Sequence, residues 1–137
     1  MRYTLSLNRF DYINRGEVRT LVLIPGWASD SRIFGTLDLS YNYFVPENFS
    51  HFNFKESLLD AMEERGIKKI SLFGWSLGGF LAQEFAMEYP DIIDRLILVS
   101  VRKGYKEEEL SEIRKNLKRS KEGYLYKFYS QCFSSPH

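Results

Sequence analysis

Six residues, Gly74-Trp75-Ser76-Leu77-Gly78-Gly79, separate the apolar run Ile70-Ser71-Leu72-Phe73 from a segment of helical spacing, and they leave the chain little freedom. Going from strand to helix without a spare residue crowds the backbone, and the positions two before and two after the apex must be very small. Gly74 and Gly78 meet that need, with Ser76 at the apex. An alternative reading is a glycine-rich strand-to-helix turn that cradles a phosphate. It fits poorly, because Gly-x-Gly-x-x-Gly and the Lys of a P-loop are both missing.

The residues around this turn predict alternating strands and helices. Tyr3 to Leu7 alternates like a strand, and Asn14-Arg15-Gly16 is a turn signal. Leu21-Val22-Leu23-Ile24 is a continuous apolar run, expected as a buried parallel strand. Asp30 can cap a short helix through Phe34, and Tyr41 to Val45 is the next expected strand, stopped by Pro46. Asn53 is the expected N-cap of a helix with Glu56 three residues on and Phe52 as a hydrophobic staple. Leu58, Leu59 and Met62 would form its apolar face, and Gly66 its end.

After the turn, Leu81, Ala82, Phe85, Ala86 and Tyr89 recur at helical spacing until Pro90, and Leu96 to Ser100 reads as another buried strand. This alternation predicts βαβ units, a parallel sheet and helices on both faces. Beyond Ser100 the expected elements are two helices, Glu107 to Arg119 and Glu122 to Phe133, joined to the body through Gly104. The expected division is therefore a core over residues 1–100 and a helical segment over residues 101–137. Leu110, Ile113, Leu117, Leu125, Phe128 and Tyr129 are its expected core, and most of Tyr124, Tyr126 and Tyr129 should pack inward.

Composition narrows the class. With 137 residues and 44% hydrophobic content the chain suffices for one core. No run nears the roughly 18 apolar residues of a membrane span and the N-terminus has no signal-peptide core, so a cytoplasmic protein without membrane or nucleic-acid partner is expected. The single cysteine, Cys132, is read as a small core residue. No Cys/His cluster supports a metal, and no cofactor is expected. Charge is asymmetric: residues 1–100 hold 10 Lys and Arg against 13 Asp and Glu, whereas residues 101–137 hold 9 against 5. A basic segment on a mildly acidic body is an attractive surface for an acidic partner, although charge runs are usually solvated faces.

A serine at such an apex can attack an acyl carbonyl, and the oxyanion that forms must meet fixed donors. The backbone N–H of Leu77 is one candidate. The other is the N–H of Trp27, in Pro25-Gly26-Trp27-Ala28 after the earlier strand, where Gly26 would allow the turn. The positive end of the helix starting near Leu77 adds to both, and losing one such donor typically costs about 3 kcal/mol. The side chains of Trp27 and Trp75 are expected to wall the site for an acyl or alkyl chain. Core packing is the competing reading for each. A base is harder to find. His51 lies in a loop ahead of the turn, His137 is the last residue, and Glu107, Glu108 and Glu109 read as the exposed first turn of a helix.

Leu21-Val22-Leu23-Ile24-Pro25-Gly26-Trp27, the Gly74 to Gly79 turn and Arg95 to Ser100 together resemble the N-terminal half of an α/β-hydrolase, over residues 20–100. Within that superfamily the Gly-Trp and Trp-Ser-Leu-Gly-Gly pairing resembles the carboxylesterases of biotin synthesis, the pimeloyl acyl-carrier-protein methyl ester esterases. The resemblance implies hydrolysis of a methyl ester on a carrier-bound acyl chain through Ser76, with Trp27 and Leu77 as the oxyanion hole. It also implies a helical lid whose basic residues grip an acidic carrier, here Arg114, Lys115, Lys118, Arg119, Lys121 and Lys127. Three departures stand beside it. Pro25 replaces the usual histidine, the family's Asp-x-x-Gly-x-Gly-x-Ser loop is absent around Val45 to Phe54, and nothing aligns with the acid and histidine that follow the lid. The chain is therefore expected to be incomplete, lacking the later strands. A non-catalytic acyl- or carrier-binding relic, one half of a two-chain hydrolase and a thioesterase remain open.

Overall fold

A computed structural model of the chain describes residues 9–47 and 52–132. Two units are distinguished, Met1–Val101 and Arg102–His137. The first is built on a five-stranded sheet of β1 (Arg9–Ile13), β2 (Thr20–Ile24), β3 (Asn42–Glu47), β4 (Ile70–Trp75) and β5 (Ile93–Val99), in the spatial order β1-β3-β2-β4-β5. β2, β3, β4 and β5 run parallel, and β1 pairs antiparallel with β3. The helices α1 (Phe54–Glu64) and α2 (Gly78–Glu88) make the crossovers into and out of β4.

Strict alternation of side chains sorts β2 and β4 onto two faces. Val22, Ile24, Ile70 and Leu72 point to the side where α1 contributes Phe54, Leu58 and Met62 and α2 contributes Ala82 and Phe85. Leu21, Leu23 and Phe73 point to the other side, where Phe34 of a short 3-10 segment, Ser31–Phe34, packs with Ile33 and Leu37 beside Tyr41 and Tyr43. This is the mostly parallel α/β arrangement expected from the alternation, except that among the described residues both α-helices of this unit lie on one face and only the 3-10 segment lies on the other. β2 is buried along its whole length, as a continuous apolar run in the middle of a parallel sheet should be.

Local chemistry explains several boundaries. The Asn14 side chain accepts from the Gly16 amide, and Gly16 takes φ 75°, which closes the turn into β2. Asp30 accepts from the Arg32 amide and caps the 3-10 segment, as its sequence position predicts. At the end of α1, Gly66 at φ 65° donates to Glu63 O and Ile67 donates to Met62 O, the paired bonds of a Schellman cap. The buried amide of Asn42 ties the 14–17 turn to the head of β3 by accepting from the Arg15 and Glu17 amides and donating to Glu17 O.

Elsewhere the structure corrects the sequence reading. Pro46 does not stop β3 but lies within it, opposite Phe10 of β1. The pairing of β3 with β2 ends at Phe44, so at Pro46 the strand no longer has β2 to donate to. Asn53 occupies the N-cap position of α1 in the left-handed region, φ 60°, and makes no side-chain cap bond, because a side-chain cap needs extended backbone there. Phe52 is 70% exposed and is no staple. β5 is not buried as its composition predicts, since it is the outermost described strand on its side. The expected strand over Tyr3 to Leu7 lies outside the described residues, and β1 begins just beyond it.

The second unit is a hairpin of α3 (Glu107–Arg119) and α4 (Lys121–Cys132). α3 opens on a capping box in which the Glu109 carboxylate accepts from the Lys106 amide. The Arg102 guanidinium donates to the same carboxylate at 3.0 Å, and this bond, ahead of the amide, holds Glu109 below the ordinary glutamate range. No described residue of the hairpin is buried. Tyr126 is 77% exposed and Tyr129 is exposed as well, contrary to the expectation that most of these tyrosines pack inward, whereas Tyr124 and Phe128 are half-buried. The side chain of Cys132 lies outside the described residues. Among the described residues no helix is long and apolar enough to cross a membrane.

Candidate functional site

β4 ends at Trp75, α2 begins at Gly78, and Ser76 between them sits at φ 54°. A non-glycine residue in the left-handed region costs about 1–3 kcal/mol and persists only where its surroundings fix it. Here they do. The Ser76 amide donates to Val99 O of β5 at 2.8 Å, and Ser76 O accepts from the Gly79 amide at 2.9 Å. Leu77, the N-cap, is in ordinary helical conformation and 40% exposed. Its amide belongs to the first-turn N–H groups that have no intrahelical acceptor.

The glycines around Ser76 are required by close approach. A methyl at Gly74 would lie 2.6 Å from Gly79 Cα and 2.9 Å from Gly78 O, and one at Gly78 would meet Ile24 O at 2.6 Å and also collide with Pro25 O. β4 and the start of α2 therefore touch backbone to backbone, and α2 rests directly on the end of β2. At Gly79 the obstruction is the side chain of Val101, just after β5. This second glycine of the pair carries a packing role that the sequence reading did not assign.

The 25–29 loop is held against the same turn. A methyl at Gly26 would lie 2.9 Å from Trp75 Cε3, 3.0 Å from Trp75 O and 3.1 Å from Ser76 Cβ. Gly26 is thus needed for proximity, not for the conformational freedom expected of it. The left-handed residue of the loop is Ala28, at φ 55°. Ser29 Oγ donates to Gly26 O at 2.8 Å and ties the loop back on itself. Pro25 is fully buried, while Trp27, Trp75 and Ser76 are half-buried.

Of the predicted residues, the structure thus places Trp75, Ser76 and Leu77 on one turn, with the loop that holds Trp27 against it. Neither histidine, His51 nor His137, lies among the described residues. No cluster of His, Cys, Asp and Glu among the described residues could hold a metal ion. In the hairpin, Arg114 pairs with Glu107 at 3.5 Å, while Lys115, Lys118, Arg119, Lys121 and Lys127 are exposed. The capping role of Glu109 and the exposed position of Glu107 fit the expectation of an exposed first helical turn.

Residues 25–137 match the alpha/beta hydrolase fold family, and the chain belongs to it. It is 33% identical to the pimeloyl-[acyl-carrier protein] methyl ester esterase of Wigglesworthia glossinidia brevipalpis, over 64% of this chain and 38% of that protein. It is 36% identical to a putative 2-succinyl-6-hydroxy-2,4-cyclohexadiene-1-carboxylate synthase of Bacillus subtilis, over 47% of this chain and 23% of that protein. An esterase from Exiguobacterium antarcticum shares the fold with a TM-score of 0.74 at 15% identity, over 95% of this chain and 59% of the esterase. The chain thus spans less than two fifths of the length of the curated relatives it matches.

Proposed function

We propose that this chain carries the nucleophile of a serine ester hydrolase of the carboxylesterase type. In this reading the 74–78 turn is a nucleophile elbow. Ser76 Oγ adds to an ester carbonyl, the amides of Leu77 and Trp27 receive the oxyanion, the alcohol leaves, and water releases the acyl group from Ser76. The observation that carries it is Ser76 at φ 54°, fixed on both sides by glycine contacts too tight for any side chain. A turn that stores strain at a half-buried serine has a use for that serine beyond connecting β4 to α2.

Trp27 and Trp75, both half-buried at this turn, are the apolar wall we propose for the acyl chain. The likeness to pimeloyl-[acyl-carrier protein] methyl ester esterases supports a methyl ester on a carrier-bound acyl chain as substrate. On that reading residues 1–100 are the hydrolase core and residues 101–137 the start of a lid. Arg114, Lys115, Lys118, Arg119 and Lys127 then attract the acidic carrier.

The test uses the gene product that contains this chain. It should release methanol from a methyl-esterified acyl carrier protein, and Ser76→Ala should reduce this to background, a loss of about six orders of magnitude where the nucleophile acts within a triad. Unchanged turnover in Ser76→Ala would refute the nucleophile. Equal turnover of the free methyl ester, with no inhibition by the unacylated carrier, would refute the carrier.

A further inference from the structure

The cations of the hairpin are not equivalent. Arg102 and Arg114 pair with Glu109 and Glu107 within the unit. Arg119, from the end of α3, and Lys127, from the middle of α4, instead open on one hollow of about 340 Å³ between the two helices. Asn116, Gln131, Tyr124 and Phe128 also line it. Among the described residues no carboxylate lies within ion-pair distance of Arg119 or Lys127. Lys115, Lys118 and Lys121 lie outside the lining.

We infer that this hollow is a binding site for an organic phosphate, a phosphate monoester with a small apolar substituent. Two cations from different helices line one concavity, and no described carboxylate pairs with either, so an anion entering it would meet both. The Arg119 guanidinium can hold two phosphate oxygens at once, and Lys127 adds a compact point charge. The Ser120 hydroxyl also lines the hollow. It accepts from the Gly123 amide at 3.2 Å, which leaves its own hydrogen to donate. The half-buried rings of Tyr124 and Phe128 supply an apolar floor that a bare inorganic ion would not use. The inference rests on no atom of the Ser76 turn, although Arg119 and Lys127 are also among the cations proposed above to attract an acidic carrier.

The probe is phenyl phosphate, titrated into the full chain at 0.15 M salt and followed by calorimetry. Saturable one-to-one binding is expected, about fivefold or more tighter than inorganic phosphate because of the rings. Arg119→Gln and Lys127→Gln should each weaken it about tenfold, while Lys115→Gln and Lys118→Gln, which remove the same charge outside the hollow, should change it less than about twofold. All four positions are exposed, and far-ultraviolet circular dichroism checks that the helices persist. Absence of saturable binding, an equal loss in all four variants, or equal affinity for inorganic phosphate would each overturn the inference.

Discussion

Two strands of this sheet carry nearly the same four residues, Leu21-Val22-Leu23-Ile24 in β2 and Leu96-Ile97-Leu98-Val99 in β5. In β2 no side chain of the four is more than 1% exposed, whereas Leu96, Leu98 and Val99 of β5 are 38–40% exposed. The chemistry of the segments is the same and their places in the sheet are not. β2 has β3 and β4 on its flanks and a packed layer on each face, while β5 has β4 on one flank alone. Burial is thus set by neighbours that a strand's own residues do not name. An apolar edge of this kind is also a surface on which further chain can pair.

Matched truncations in β2 and β5 should differ most. Leu23→Ala should cost about 2–5 kcal/mol of unfolding free energy, because it opens a cavity in a closed layer. Leu98→Ala should cost less than about 1 kcal/mol, since much of that side chain is already in water. Urea unfolding of both variants decides it, and equal losses would mean that β5 is covered in solution. Next in size is Gly74→Ala, which forces backbone apart where β4 meets α2 and should cost about 1–3 kcal/mol. Gly104→Ala, where an added methyl meets nothing within 4 Å, is its control and should cost well under that.

Sharper but smaller effects test the edge and the hairpin. Leu98→Lys should leave thermal stability within about 0.5 kcal/mol while shifting the concentration at which the chain self-associates upward, as measured by light scattering. An unchanged onset would remove the β5 edge as the contact. The mildest effect is expected at Glu109, whose acidity is raised by Arg102 and by the Lys106 amide. A carboxylate held below its unfolded value stabilises the fold at pH above the ordinary glutamate range. That contribution fades as the pH falls through the folded value. Helicity of the hairpin should therefore decline on acidification below about pH 4.5. Glu109→Gln should flatten that part of the curve, and an unaltered acid transition would show that the capping box does not govern it.

The elements governed by local chemistry were legible in the sequence. The Asn14-Arg15-Gly16 turn, the Asp30 cap, the Gly66 end of α1 and the bounds of α3 all depend on residues within a few positions of each other. The tightness around Ser76 was legible for the same reason, since Gly74 and Gly78 mark the crowding directly. What depends on distant partners was not. Nothing in Leu96 to Val99 says that β5 is the outermost described strand, and nothing near Pro46 says that β2 has already ended. Gly26 needs space because Trp75, far along the chain, lies on it, and Gly79 does because Val101 does. These roles emerge only when the sheet brings β2, β4 and β5 side by side.

Everything proposed for this site turns on whether the strained serine at the end of β4 is a nucleophile. The most direct measurement is to treat an extract of the source cells with a fluorophosphonate probe and map the adducts by mass spectrometry, with a heat-denatured extract as control. An adduct on Ser76 that is lost on denaturation is expected. An unmodified Ser76 peptide, recovered from an extract in which other serine hydrolases are labelled, would contradict it.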